Sequence, residues 1–379
     1  MIVDNRRKAE EFLERIQLKN LEKLGINIQE WNNIEFDAKE LAGLDTYMQE
    51  CLKESVETRN NVLLSSPYEW NLSRLILQRL IDYIDTPEIR TFIKKEYKIQ
   101  NIEERGFPYW GSVFSLDVSA SYYGTDIDRG LITISYAAFE AAYILSLIIG
   151  NLIFNNGTLL TSYSEMKQYT ESVPEFKHLL FDFLYCDSYY GFVLNANHGN
   201  LKGNTAVQLI CDMFELFIVA HEYAHFVYGH TPISQEVSKP SKEKMIDVLQ
   251  RRYKQELLAD EMAASICKKV CQVKKIPPIF CDLGIHLLFI YLELHEQGVA
   301  YKPYKDSAVL THPPVDGRKM ALFNMHLREY YMLMGKEMDL YINEVCMQFN
   351  IKLKAFTKIH GSDSTHDVVR KYLASDNLS

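Results

Sequence analysis

The chain has 379 residues, of which 47% are hydrophobic and 24% charged, close to the average of globular proteins. This composition excludes a disordered chain, a collagen, a coiled-coil rod and a polytopic membrane protein. With 41 basic and 50 acidic residues the net charge is −9, so general binding to nucleic acids or to anionic membranes is not expected. Seven cysteines are too sparse for a disulfide framework, and they indicate reduced thiols and a cytoplasmic location.

The predicted fold class is mainly α with a small antiparallel β-sheet. Residues 1–104 are predicted to form a helical N-terminal accessory region, because apolar residues recur there at three- and four-residue steps. Strands are predicted within 112–123 and 130–136, where apolar and small or polar residues alternate between turn residues. Helices are predicted from 137 onward and at 205–228, 244–272, 281–297 and 317–348. Residues 349–379 are predicted to be a partly frayed C-terminal extension.

The stretch 141–154 is apolar enough to be considered as a membrane span. It is shorter than the roughly 20 residues that cross a bilayer, and it ends in Asn155, Asn156 and Gly157. The sequence therefore predicts a buried helix here and no membrane partner.

The predicted helix 205–228 contains an HExxH motif, His221-Glu222-Tyr223-Ala224-His225. Histidines four residues apart on a helix lie about 40° apart around its axis, so both imidazoles can reach one ion. Glu222, about 100° from His221, can then face a metal-bound water as a general base. The motif lies in a strongly apolar helix, where three ionisable groups are costly to bury without a partner such as Zn²⁺.

A catalytic zinc site needs a third protein ligand. The metzincin spacing fails, because Tyr228 and Thr231 stand where a glycine and a third histidine are required. The segment ELLAD, 256–260, supplies an alternative on a later helix. There Glu256 is predicted to bind the metal, and Asp260 to hydrogen-bond a ligand histidine from behind and fix its tautomer.

Together these motifs resemble the gluzincin metallopeptidases, in particular the family of CaaX prenyl proteases and the HtpX heat-shock peptidase. That pattern is HExxH, then ExxAD, then HP with an arginine six positions after its histidine. Here the third part reads HPPVDGR, 312–318. The resemblance implies a zincin-like peptidase domain over 105–348, with His312 or Arg318 as the donor to the developing oxyanion. The family's multiple membrane helices are absent, so the chain resembles a soluble, divergent gluzincin. Lit-type phage-exclusion peptidases and ImmA-like regulators, which are also cytosolic with HExxH, are similar in this respect.

The predicted function is therefore a zinc endopeptidase that cleaves a protein or peptide substrate, with Glu222 as general base. Three alternatives stay open: a zinc-stabilised regulatory or binding module without turnover, a Lit-type defence protease that cuts one host protein, and a helical interaction protein with an accidental motif. Residues 1–104 are candidates for gating the substrate or for contacting an activating or regulatory protein partner. A structural role is predicted for His230, just after the helix end, and buried thiols for Cys267 and Cys271.

Overall fold

Helices form most of the chain that the structure describes, and a small sheet completes it, which confirms the predicted mainly α class. The structure is a computed structural model that describes residues 2–23, 62–64, 66, 71–99, 106–115, 118–124, 129–155, 158–173, 180, 204–230, 242–299, 314–345 and 347. The predicted C-terminal extension 349–379 lies outside these residues.

The N-terminal part contains three described helices, α1 (Ile2–Lys23), α2 (Asn71–Ile84) and α3 (Pro87–Tyr97). The hydroxyl of Thr86 accepts a hydrogen bond from the backbone N–H of Ile89, and Pro87 occupies the first turn of α3. A side-chain cap followed by proline is a strong helix start. Within the helical region predicted for 1–104, residues 71–97 are therefore divided into two helices.

The sheet consists of β1 (Tyr109–Val113), β2 (Ala120–Tyr123) and β3 (Leu131–Ser135) in the order β1-β3-β2. Strand β2 pairs with β3 antiparallel, as predicted, but β1 pairs with β3 in parallel, so the sheet is mixed. The prediction of one strand segment over 112–123 was wrong, because it joined the end of β1 to β2. Every residue of β1 is buried, so this strand lacks the alternation that marks a half-exposed strand.

Helix α4 (Tyr136–Ile153) follows β3 directly and begins where Ser135 accepts hydrogen bonds from the backbone N–H groups of Ala138 and Ser119. A short hairpin of β4 (Phe154–Asn155) and β5 (Thr158–Leu159) leads to helix α5 (Tyr163–Ser172). The N-terminus of α5 is fixed by a capping box between Ser162 and Glu165.

Helix α6 (Thr205–Tyr228) lies at the centre of the core and packs against α4, α7 (Lys242–Lys274) and α8 (Pro278–Val299). Glycines allow this close packing: a Cβ at Gly284 of α8 would lie 2.7 Å from the backbone nitrogen of Phe214. Most residues of α6 are buried around its whole circumference, which is typical of a core helix. Few charged groups can therefore be placed on α6 without partners.

One group of charges is nevertheless buried on α6. The guanidinium of Arg79, from α2, lies 3.0 Å from Oδ1 of Asp212 and 2.9 Å from Oε2 of Glu215. Gln208 donates a further hydrogen bond of 2.8 Å to Oδ1 of Asp212. We call these four residues the α2–α6 polar cluster; it joins the N-terminal helices to the central helix through charge as well as apolar packing.

The C-terminal part begins with α9 (Val315–Leu322) and continues through two π-helical turns, Phe323–Leu327 and Tyr331–Gly335, which flank the short helix α10 (Arg328–Tyr330). Helix then extends over 336–345. Tyr330 lies 2.8 Å from Nδ1 of buried His286, whose Nε2 lies 2.8 Å from Asp339. His286 is thus a core histidine with both ring nitrogens in contact.

Two helices are long and apolar enough to cross a membrane, over 136–153 and 278–295, and 78% and 61% of these windows are buried within the protein. Burial of this extent is typical of core helices. Cys211, Cys267, Cys271 and Cys281 are buried free thiols, as predicted for Cys267 and Cys271.

Candidate metal centre

Two histidines of α6 direct the same ring nitrogen to one point. Nε2 of His221 and Nε2 of His225 are 3.1 Å apart. The helix continues through both residues and ends at Gly229, whose positive φ of 66° closes the last turn. Both imidazoles can therefore reach one ion, as expected from their spacing on the helix.

Helix α7 supplies two carboxylates to the same place. Oε2 of Glu256 lies 3.4 Å from Nε2 of His221, and Oε1 lies 3.4 Å from Nε2 of His225. Asp260, one helical turn further on, lies behind His221. Its Oδ1 is 2.9 Å from Nδ1 of His221, which is close enough for a hydrogen bond, but the angles between the two groups are outside the range of one. Ala259, Ala263 and Ala264 of α7 are fully buried, which lets α6 and α7 approach closely.

The donor atoms of His221, His225 and Glu256 all lie within 4.8 Å of one another. Unprotonated imidazole nitrogens and a carboxylate repel one another at such distances unless a proton or a metal cation lies between them. Among the described residues, these three are the group of histidine, cysteine and acidic side chains that can hold a metal ion. They form a candidate metal centre.

The carboxylate of Asp260 is held from the other side by Arg318 of α9. Nε of Arg318 donates to Oδ2 at 2.8 Å, and Nη2 donates to Oδ1 at 2.7 Å, which is the bidentate geometry of a strong charged pair. Nη1 lies 3.5 Å from Oε2 of Glu256. Arg318 is only 7% exposed, and its guanidinium therefore supports the ligand helix from within the protein.

The charges in the centre shift one another's protonation. Burial opposes a charge on His221, but Asp260 and Glu256 outweigh it and raise the pKa of His221 to about 10. Burial, together with the neighbouring His221, lowers the pKa of His225 to about 3. Burial also opposes the charge of Asp260, yet Arg318 and His221 lower the pKa of Asp260 below its usual value.

Two residues from the sequence prediction remain to be placed. Glu222 is buried. Burial lowers the pKa of Arg318, whereas the negative charges of Asp260, Glu256 and, to a smaller extent, Glu222 raise it. His312, the other predicted oxyanion donor, lies outside the described residues.

His230 contacts the ligand histidine His225, and the sequence did not predict this contact. Its Nδ1 lies 2.8 Å from Nδ1 of His225, and its ring stacks on Tyr228 with centroids 5.2 Å apart. Burial lowers the pKa of His230 to about 4. The available signal was the glycine before it, since Gly229 ends the helix and turns the next residue back toward the last turn.

No protein-family model matches this chain, and no curated protein or solved structure matches it.

Proposed function

We propose that this protein is a zinc-dependent endopeptidase that hydrolyses peptide bonds in a protein substrate. The observation that carries the proposal is the convergence of His221, His225 and Glu256 on one point, with Glu222 next to the first ligand in the HExxH motif. A purely structural site needs no general base beside its ligands, so the motif favours a catalytic centre.

The donor distances support zinc as the metal. Ligands about 2.0–2.1 Å from a zinc ion at tetrahedral angles lie about 3.3–3.4 Å apart. The two histidine Nε2 atoms are 3.1 Å apart here, and each lies 3.4 Å from a different carboxylate oxygen of Glu256. Two imidazoles and one carboxylate are also a donor set that catalytic zinc sites use, with the fourth position left for water.

Each protein group then has a defined task. A zinc ion held by His221, His225 and Glu256 would supply a water of lowered pKa and a Lewis acid for the scissile carbonyl. Glu222 accepts the proton of the attacking water and delivers it to the leaving amine. Asp260 orients His221, and Arg318 orients Asp260 through its two hydrogen bonds. We therefore assign Arg318 a positioning role, and His312 stays the predicted oxyanion donor.

The sheet offers a place for an extended substrate. Strand β2 pairs with β3 on one side and, within the described part of the chain, has no strand on the other. Tyr122 of β2 contacts Phe226 of α6, with ring centroids 6.0 Å apart, so this strand lies beside the helix that carries the histidine ligands. A peptide in extended conformation can add to such an edge through backbone hydrogen bonds. This favours a protein or peptide substrate, and the free thiols of the core fit the proposed cytoplasmic location.

The test combines metal analysis with substrate identification. Wild type and Glu222→Gln are expected to contain one zinc per chain by mass spectrometry of the metal. New protein N-termini, compared between cells that express the two proteins, are expected only with wild type, because loss of a general base reduces the rate by about 10²–10⁴-fold. A wild-type protein without stoichiometric metal, or unchanged cleavage by Glu222→Gln, refutes the proposal.

A further inference from the structure

We infer that His230 is a positioning residue of the metal centre: its Nδ1 accepts a hydrogen bond from Nδ1–H of His225 and so fixes the tautomer in which Nε2 of His225 is free to bind the metal. The inference rests on the proposed function. Asp260 contacts one ligand histidine, His221, and His230 contacts the other, His225.

In the contact between His225 and His230, one proton lies between the two Nδ1 atoms. The two Nδ1 atoms are 2.8 Å apart, a distance at which one nitrogen donates and the other accepts. When Nε2 of His225 binds a cation, the remaining ring proton of this imidazole is on Nδ1. His225 is then the donor, and His230 accepts at Nδ1 and carries its own proton on Nε2.

The backbone brings His230 to this position. Gly229, with its left-handed φ of 66°, donates its N–H to the carbonyl of Phe226, and the N–H of His230 bonds the carbonyl of His225 at 2.9 Å. These two hydrogen bonds form a Schellman motif, which folds the chain back over the last helical turn. The imidazole of His230 is thereby returned to the level of the ligand that it contacts.

Aromatic packing holds the ring in place. The ring of His230 is nearly parallel to that of Tyr228, at an interplanar angle of 14°. Tyr228 in turn contacts Tyr97 of α3 edge to face, with centroids 6.3 Å apart. The acceptor is therefore fixed in position by α3 as well as by α6, which reduces the cost of ordering it when the metal binds.

The two ligand histidines consequently have different outer partners. His221 is next to a carboxylate that is paired with Arg318, whereas His225 is next to a neutral imidazole. Outer partners of this kind orient a ligand ring, and their loss weakens metal binding by about 10–100-fold.

Three variants test whether His230 acts through its hydrogen-bond acceptor or only through the space that its side chain fills. Asn at position 230 places a side-chain oxygen near the position of Nδ1, Leu has a similar shape without an acceptor, and Gln places its polar group further out, near Nε2. We expect His230→Leu and His230→Gln to weaken zinc binding about 10–100-fold in competition with a chelator. We expect His230→Asn to keep most of the wild-type affinity. The visible spectrum of the Co²⁺-loaded protein is expected to change in the Leu and Gln variants and to be retained in the Asn variant.

The outcomes are distinguishable. Thermal unfolding of the metal-free proteins reports folding separately, and the Gln variant provides the same comparison if the Leu variant does not fold. Wild-type affinity and spectrum in both Leu and Gln variants overturn the inference, as does an Asn variant no better than Leu. A wild-type protein that binds no metal instead refutes the proposed function itself.

Discussion

Replacement of Arg318 by methionine tests the buried charge network behind the candidate metal ligands. Arg318 is 7% exposed and Asp260 is 1% exposed, and two hydrogen bonds of 2.8 and 2.7 Å join them. Methionine fills much of the same volume but leaves the carboxylate of Asp260 buried without its arginine, and it removes a guanidinium nitrogen that lies 3.5 Å from Glu256. Breaking one side of a buried ion pair costs about 3–5 kcal/mol of unfolding free energy, and we expect a loss in that range.

The measurement is urea unfolding of the metal-free protein, so that metal binding does not add to stability. Arg318→Lys keeps the charge but not the bidentate geometry, and it should give an intermediate loss. Adding Asp260→Leu to Arg318→Met should recover part of the loss, because neither charge of the pair then remains. A loss below about 1 kcal/mol in Arg318→Met refutes this reasoning, since the pair would then behave like an exposed one.

Two further changes test the packing of α6. Burial, opposed by Arg79 and reinforced by Asp212, raises the pKa of Glu215 from its usual 4.5 to about 8. Between about pH 4.5 and pH 8, Glu215 is therefore protonated in the folded protein and ionised in the unfolded chain. The resulting stability is fully present below about pH 4.5 and is lost as pH rises through about 8. Glu215→Gln should remove this fall in urea unfolding between about pH 5.5 and pH 8.5; an equal fall in both proteins contradicts the assignment. Gly284→Ala should lower the melting temperature by overpacking, a cost of about 1–3 kcal/mol. A more stable Ala variant would mean that helix propensity, about 1 kcal/mol in favour of alanine, prevails over the contact with α6.

The central elements of the fold could be predicted because their signals are local. Helix α6 is a long apolar segment with Asn204 as its cap and Gly229 at its end, and both features appear in the structure. The parallel pairing of β1 with β3 could not be predicted, because a fully buried strand has no alternating pattern and its partner is chosen by tertiary contacts.

In the candidate site too, the features set by local helix geometry could be predicted, and those set by tertiary contacts could not. The positions of His221 and His225 follow from helix geometry, and the placement of Glu256 and Asp260 followed from their own four-residue spacing. The motif resemblance implied His312 or Arg318 as the oxyanion donor, and it did not indicate that Arg318 would pair with Asp260. The His225–His230 contact depends on the backbone turn at Gly229, which sequence spacing alone does not specify.

The α2–α6 polar cluster also has a consequence for the order in which the chain is made. Arg79 precedes Glu215 by 136 residues. At a synthesis rate of about 5–20 residues per second, the glutamate follows the arginine by about 7–27 s. When α6 is synthesised, Asp212 and Glu215 therefore meet a cation that is already present on α2. The salt bridges between α2 and α6 can therefore form before α7 and α8, the later partners of α6 in the core, have been synthesised.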